Sequence, residues 1–245
     1  MDQFWNAVGK FGYFEYLIAA LALALLTGII QARLNSTYKK YSQIGNSKGM
    51  TGADAARQIL EANGIYDVQV QMINGHLTDN YHPKKKILSL SPEVYNGTSV
   101  AAVGIAAHEA GHAIQHSRKY VPVKLRGALV PVANLGSRFS MILVIIGLII
   151  SGTAQTNIGF YLALAGLGLF LFAVLFTLVT LPVEFNASRR AKNILSDTLY
   201  MSGEDMKGVK KVLNAAAMTY VASLASAVLS LFRMLAIVSS SRRND

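Results

Sequence analysis

The sequence predicts a mainly α-helical, multi-span membrane protein with a small α+β region, and three observations carry that expectation. Of 245 residues, 52% are hydrophobic and only 15% charged, too apolar a balance for an ordinary soluble domain. Four apolar runs approach or exceed the length needed to cross a bilayer. Between the first and second of them lies a polar stretch in which two short segments alternate with the strand period.

Taken in order, residues 1–15 read as an N-terminal segment. Residues 16–32 (YLIAALALALLTGIIQA) carry no charge and are expected to form a first transmembrane helix. The alternative of a cleaved signal peptide is disfavoured, because the preceding residues offer only Lys10 against Asp2 and Glu15 and no A-x-A-like site stands out. Residues 33–126 form the polar region. Its start, 35–52, is Gly-bearing and reads as a linker. Thr51 with Asp54 three residues later makes a capping box for a short amphipathic helix over 52–63, closed by Gly64. Residues 66–73 (YDVQVQMI) and 86–91 (KILSLS) alternate, with an Asn74-Gly75 turn signal between them, so a small sheet is expected. Residues 87–90 are the expected edge strand on which an extended peptide can add by main-chain hydrogen bonds.

The chemistry concentrates in residues 103–116 (VGIAAHEAGHAIQH). In a helix, residues four apart share a face one turn apart, so His108 and His112 of the pentad HEAGH can close on one metal ion. This is the H-E-x-x-H arrangement, in which Glu109 stands beside the ion as a general base and does not ligate it. Gly104 and Gly111 leave room for another backbone to approach. His116 lies eight residues from His108, ~12 Å of rise along a helix, too far to share that ion. A third ligand must therefore come from elsewhere. Glu184, directly after the third apolar run, is the first candidate, in a helix expected to begin near Pro182. Two bilayer crossings between His112 and Glu184 would return the chain to the same side. Glu93 is the runner-up, and the loop histidines His76 and His82 are weaker ones. A carbonyl-stabilising donor is expected among Tyr81, His82, Asn186 and Arg189.

The second and third runs form an expected transmembrane hairpin, 127–181. The second must reach back through Pro131 to span, leaving Arg138 to snorkel or find a partner. The third, 158–181, is uncharged and is expected to end at Pro182. Residues 182–211 then form the third-ligand region. Residues 212–238 make a fourth span or a membrane-packed helix with Arg233 inside it, and 239–245 form a basic tail. Lys and Arg cluster after the first run, before the second and after the third, which puts the HEAGH region on the cytoplasmic side of a multi-pass plasma-membrane protein. Arg242 and Arg243 beyond a fourth crossing would break that rule. The net charge of +10 is explained largely by these clusters against anionic headgroups, and no nucleic-acid partner is expected. There is no cysteine, so disulfides and thiolate metal sites are excluded.

HEAGH followed, after a membrane hairpin, by E-F-x-A-S-x-x-A resembles the neutral zinc metallopeptidases of the YugP type, as do the LTDNYHP, LSLSPEVYNG and LNAAAMTYVA segments. More distantly, the chain is similar to the membrane gluzincins, the heat-shock peptidase and CaaX prenyl protease group, whose downstream motif is E-x-x-x-D. The resemblance implies a small α+β zinc-peptidase-like region, with the HExxH helix beside a short β-sheet. It implies His108, His112 and Glu184 as ligands of one Zn2+ and Glu109 as the base. Ser188 stands where the wider group has Asp, so the group orienting a zinc histidine departs from that pattern. The implied activity is a membrane-embedded zinc endopeptidase acting on membrane-associated or misfolded proteins. A homo-oligomer or accessory membrane proteins would be compatible with it. The alternative is a catalytically silent zinc-binding membrane adaptor. A transporter is disfavoured by the scarcity of ionisable groups in the apolar runs.

Overall fold

A computed structural model describes residues 12–154, 157–199 and 201–241. Lys10, most of the N-terminal segment, and Arg242 and Arg243 of the basic tail lie outside the described residues. The elements are α1 (Tyr13–Ser42), α2 (Gly52–Ala62), β1 (Gln69–Met72), β2 (Asn80–His82), β3 (Ile87–Leu90), α3 (Pro92–Tyr95), α4 (Val100–Ser117), α5 (Val121–Ala154), α6 (Asn157–Asp197) and α7 (Gly203–Ser241). The chain is thus a mainly α-helical membrane protein with a small three-stranded sheet. Among the described residues, four helices, α1, α5, α6 and α7, are long and apolar enough to cross a bilayer.

The chain divides into two compact units. One comprises Met1–Gly28, Leu125–Thr180 and Tyr220–Asp245. Its core gathers Val144, Ala163, Leu167, Met234 and Val238 from α5, α6 and α7. Glycines let the α5 and α6 backbones meet there: a Cβ on Gly166 would lie 2.6 Å from the Ser140 carbonyl, and one on Gly136 would collide with the Leu169 carbonyl. Gly168 faces open space. Arg233, the charge inside the last apolar run, places its guanidinium 5.0 and 5.3 Å from the ring centroids of Tyr13 and Tyr16, so aromatic faces stabilise the cation.

The second unit, Ile29–Lys124 and Leu181–Thr219, carries the polar region. Helix α2 begins with the expected capping box: the Thr51 hydroxyl accepts from Asp54 N–H at 3.1 Å and the Asp54 carboxylate accepts from Thr51 N–H. It buries Ala53, Ala55, Ala56, Ile59 and Leu60 in a core shared with Leu88, Leu90, Val103, Ala106, Ala110, Ile114, Leu195 and Val209. Helix α4 is capped by Ser99, whose hydroxyl accepts from Ala102 N–H.

Three expectations need correction here. Residues 35–52 are not a linker. The first helix runs on to Ser42, and buried Asn46 then ties the chain down, donating to Met50 O at 2.8 Å and to Thr98 O and accepting from Lys48 and Met50 N–H. Residues 87–90 are not an edge strand. The order is β1-β3-β2, with β1 parallel and β2 antiparallel to β3, so both sides of β3 are already paired and cannot receive another strand. Asn74-Gly75 does turn the chain, with Gly75 at φ +113° in a bend that leads into β2, a strand of three residues. Pro182 neither ends the third apolar helix nor starts a new one, because α6, 41 residues long, continues through it to Asp197. By contrast α5 does run through Pro131, as a span of sufficient length requires.

Candidate metal centre

Two helices of the second unit build the site. Helix α4 presents a buried face of Val103, Ala106, Ala107, Ala110, Ala113 and Ile114, and the imidazoles sit beside it. Gly111 lets the Leu181–Asp197 part of α6 come close: a Cβ there would lie 2.7 Å from Ala187 O and 3.3 Å from Ala187 Cα. Gly104 is looser, since the nearest atom a Cβ would meet is Val209 Cγ1 at an ordinary 3.6 Å. The Gly111 contact brings Glu184, one turn before Ser188, against the two histidines.

His108 Nε2 lies 3.2 Å and His112 Nε2 3.4 Å from Glu184 Oε2, and the three ligand atoms all fall within 4.8 Å of one another. The two rings stand nearly perpendicular, with centroids 4.8 Å apart. Glu184 is only 2% exposed. Burial pushes its carboxyl upward, yet the hydrogen bonds and charges of His108 and His112 outweigh that and hold it far below the usual carboxylate range. Burial pulls His112 down, but its contact with Glu184 and the nearby Glu109 charge leave it raised overall. Both shifts say that a buried anion is compensated by the imidazoles.

Two nitrogens and a carboxylate oxygen fit a divalent metal of the zinc type, with three protein ligands and a free position. Atoms each ~2 Å from a tetrahedral ion stand about 3.3 Å from one another, and the observed separations to Glu184 are 3.2 and 3.4 Å. The two separations to Glu184 thus match those of ligands sharing one ion, and the three atoms as a set lie within 4.8 Å of one another.

The far sides of the rings also have partners. His108 Nδ1 lies 3.1 Å from Ser188 Oγ, so a hydroxyl occupies the place where the sequence pattern lacked a carboxylate. His112 Nδ1 lies 3.0 Å from Gln115 Oε1. The fully buried Gln115 donates through Nε2 to Val183 O at 2.7 Å and to Asn186 Oδ1 at 3.0 Å, and Arg190 Nε donates to the same Asn186 oxygen at 2.8 Å. Sequence reasoning missed Gln115, although a glutamine one turn after a candidate ligand, in an otherwise apolar helix, is a readable signal.

Glu93, His76, His82 and His116 are not part of this cluster. Glu93 pairs with His76 at 3.4 Å, and the His76 ring meets Tyr38 edge-on. His82 Nδ1 accepts from Lys85 N–H in the β2–β3 turn. His116 stacks obliquely on Tyr81 in the last turn of α4. Asn186 has its oxygen committed to Gln115 and Arg190, and Arg189 is exposed. Glu109 is partly buried beside His112.

Comparison with known proteins agrees with this geometry. Residues 16–239 match a family model described as "Putative neutral zinc metallopeptidase". The chain is 44% identical over 223 residues to "Putative membrane protease YugP" of Bacillus subtilis (strain 168), covering 90% of this chain and 92% of that protein. No solved structure matches it.

Proposed function

This chain belongs to that family of neutral zinc metallopeptidases, and from that premise we propose that it is a membrane zinc endopeptidase of the HExxH-plus-Glu, gluzincin type. The observation that carries the reading is the buried convergence of His108, His112 and Glu184 with Glu109 alongside. His108 and His112, through Nε2, and Glu184, through its carboxylate, would hold one zinc ion. When bound, the ion supplies a Lewis acid that makes water more acidic and polarises a peptide carbonyl.

The protein's own groups account for the rest. Glu109 takes a proton from the attacking water at its carboxylate and returns it to the amide nitrogen as the peptide bond breaks. Glu184, whose carboxyl is held low by its two histidine neighbours, would bring its carboxylate charge to the ion. Ser188 and Gln115 restrain the imidazoles. The substrates are peptide segments of membrane-associated or misfolded proteins, reached on the cytoplasmic side, because the Lys and Arg clusters flank the apolar runs on the same side as HEAGH.

The test is zinc content and peptide hydrolysis on the same purified samples of wild type, Glu184→Ala and Glu109→Gln. The reading expects stoichiometric zinc and hydrolysis in wild type, loss of both in Glu184→Ala, and retained zinc without hydrolysis in Glu109→Gln. Zinc retained at wild-type level in Glu184→Ala overturns the ligand assignment. Hydrolysis by Glu109→Gln at the wild-type rate overturns the base.

A further inference from the structure

The groups behind His112 differ from those behind His108 in one respect. Ser188 carries a hydroxyl, which can either donate or accept, so its contact with His108 Nδ1 is compatible with either ring tautomer. Gln115 is not free in this way. Val183 O is a backbone carbonyl, an acceptor only, so the Gln115 atom 2.7 Å from it must be the NH2 group. Arg190 is a donor only, so the Asn186 atom 2.8 Å from its Nε must be the carbonyl oxygen. That same oxygen faces Gln115 at 3.0 Å and again requires the NH2 group there. Two acceptors thus fix the amide independently. With Nε2 turned toward α6, Oε1 must face His112.

An amide oxygen cannot donate, so the ring nitrogen opposite it, Nδ1, must carry the proton. In the neutral imidazole that a metal requires, a proton on Nδ1 leaves Nε2 unprotonated, with its lone pair available on the Glu184 side, where the ion would be held. We propose that Gln115 is a positioning residue: its carboxamide, oriented by Val183 and Asn186, locks His112 in the tautomer whose Nε2 can ligate a metal. Gln115 is 0% exposed, so no water substitutes for a lost partner at low cost. Asn186 and Arg190 extend the polarity of this chain of donors, which runs Arg190 to Asn186, Gln115 to Asn186 and Val183, and His112 to Gln115. The ring thereby acquires its direction from a backbone carbonyl one residue before the acidic ligand.

This inference rests on the zinc-site reading, and it is tested by metal affinity, independently of turnover. The dissociation constant for zinc is measured by chelator competition on the full chain in detergent, for wild type, Gln115→Met, Asn186→Asp and Asn186→Leu. Met keeps the length of Gln without an acceptor, and affinity is expected to fall about 10- to 100-fold. Asp at 186 still accepts from Gln115 and Arg190 and is expected to bind like wild type. Leu at 186 removes one of the two acceptors and is expected to fall between them. If Gln115→Met does not fold, Asn186→Leu against Asn186→Asp decides the matter, because a merely space-filling role would not favour Asp over the more apolar Leu. In 15N spectra of His112, wild type should show a protonated Nδ1, and Gln115→Met a mixture of tautomers. Wild-type affinity in both Gln115→Met and Asn186→Leu overturns the proposal alone. A wild-type chain that takes up no zinc overturns the peptidase reading together with it.

Discussion

Gly111→Ala tests how the helices assemble the site. The new methyl would sit 2.7 Å from Ala187 O, whereas a carbon normally approaches a carbonyl oxygen to about 3.3 Å, so one backbone must withdraw by roughly 0.6 Å. Neither atom is the end of a flexible side chain, and overpacking of this sort costs about 1–3 kcal/mol. Alanine in a helix interior recovers about 0.5–1 kcal/mol over glycine. The expected balance is a net loss of about 1 kcal/mol. The effect on zinc should be larger than this suggests, because a shift of ~0.6 Å exceeds the ~0.2 Å tolerance of ligand distances, and Ala187 lies between Glu184 and Ser188 on α6. Gly104→Ala is the control: its methyl meets Val209 at an ordinary 3.6 Å, so only the helix gain remains. Apparent melting temperature and zinc affinity in detergent provide the assay. Gly111→Ala should melt below wild type with affinity down at least about tenfold, and Gly104→Ala should melt at or above wild type. If Gly111→Ala binds zinc as wild type does and melts no lower than Gly104→Ala, the close helix approach does not set the site.

Further outcomes can be checked separately. Glu109→Gln should retain zinc and lose about 10²- to 10⁴-fold in peptide hydrolysis, read from initial rates at saturating zinc. Ser188→Ala should weaken zinc binding through His108, measured by the same chelator competition, but by less than Gln115→Met, because a hydroxyl leaves either ring tautomer available. Asp205, buried at the start of α7, accepts from Ser47 N–H at 3.1 Å and from the Ser47 hydroxyl. Burial raises its carboxyl, and these bonds more than offset that, leaving it below its ordinary 3.8. The stabilisation is therefore present above pH 3.8 and is lost as pH falls through the lower folded value. Asp205→Ala should lose about 1.5–3 kcal/mol at neutral pH, and its difference from wild type should close on acidification in denaturation series.

The parts legible in the sequence are those specified by neighbours in the chain. Four long apolar helices, the Thr51–Asp54 cap and the helical spacing of His108 and His112 depend on local pattern, and the structure has all of them. Glu184 could be named because a crossing and a return would bring the chain back to one side, and the structure places it close to His108 and His112. What escaped depends on partners distant in sequence. β2 is three residues long, too short for any period to register, and the parallel pairing of β1 with β3 is set by the chain between them. Asn46 looked like loop polarity, but its bonds to Thr98 span 52 positions. Pro182 removes one N–H from α6, yet the helix continues, and Val183 O beside it accepts from Gln115.

Both imidazoles lean on uncharged groups, the Ser188 hydroxyl and the Gln115 carboxamide. A ring backed by a carboxylate is the more basic, more strongly electron-donating ligand. A cation held here would receive less electron density from its histidines and keep more of its electrophilic pull. The same neutral backing would loosen the hold on a metal and strengthen the Lewis acid that it supplies.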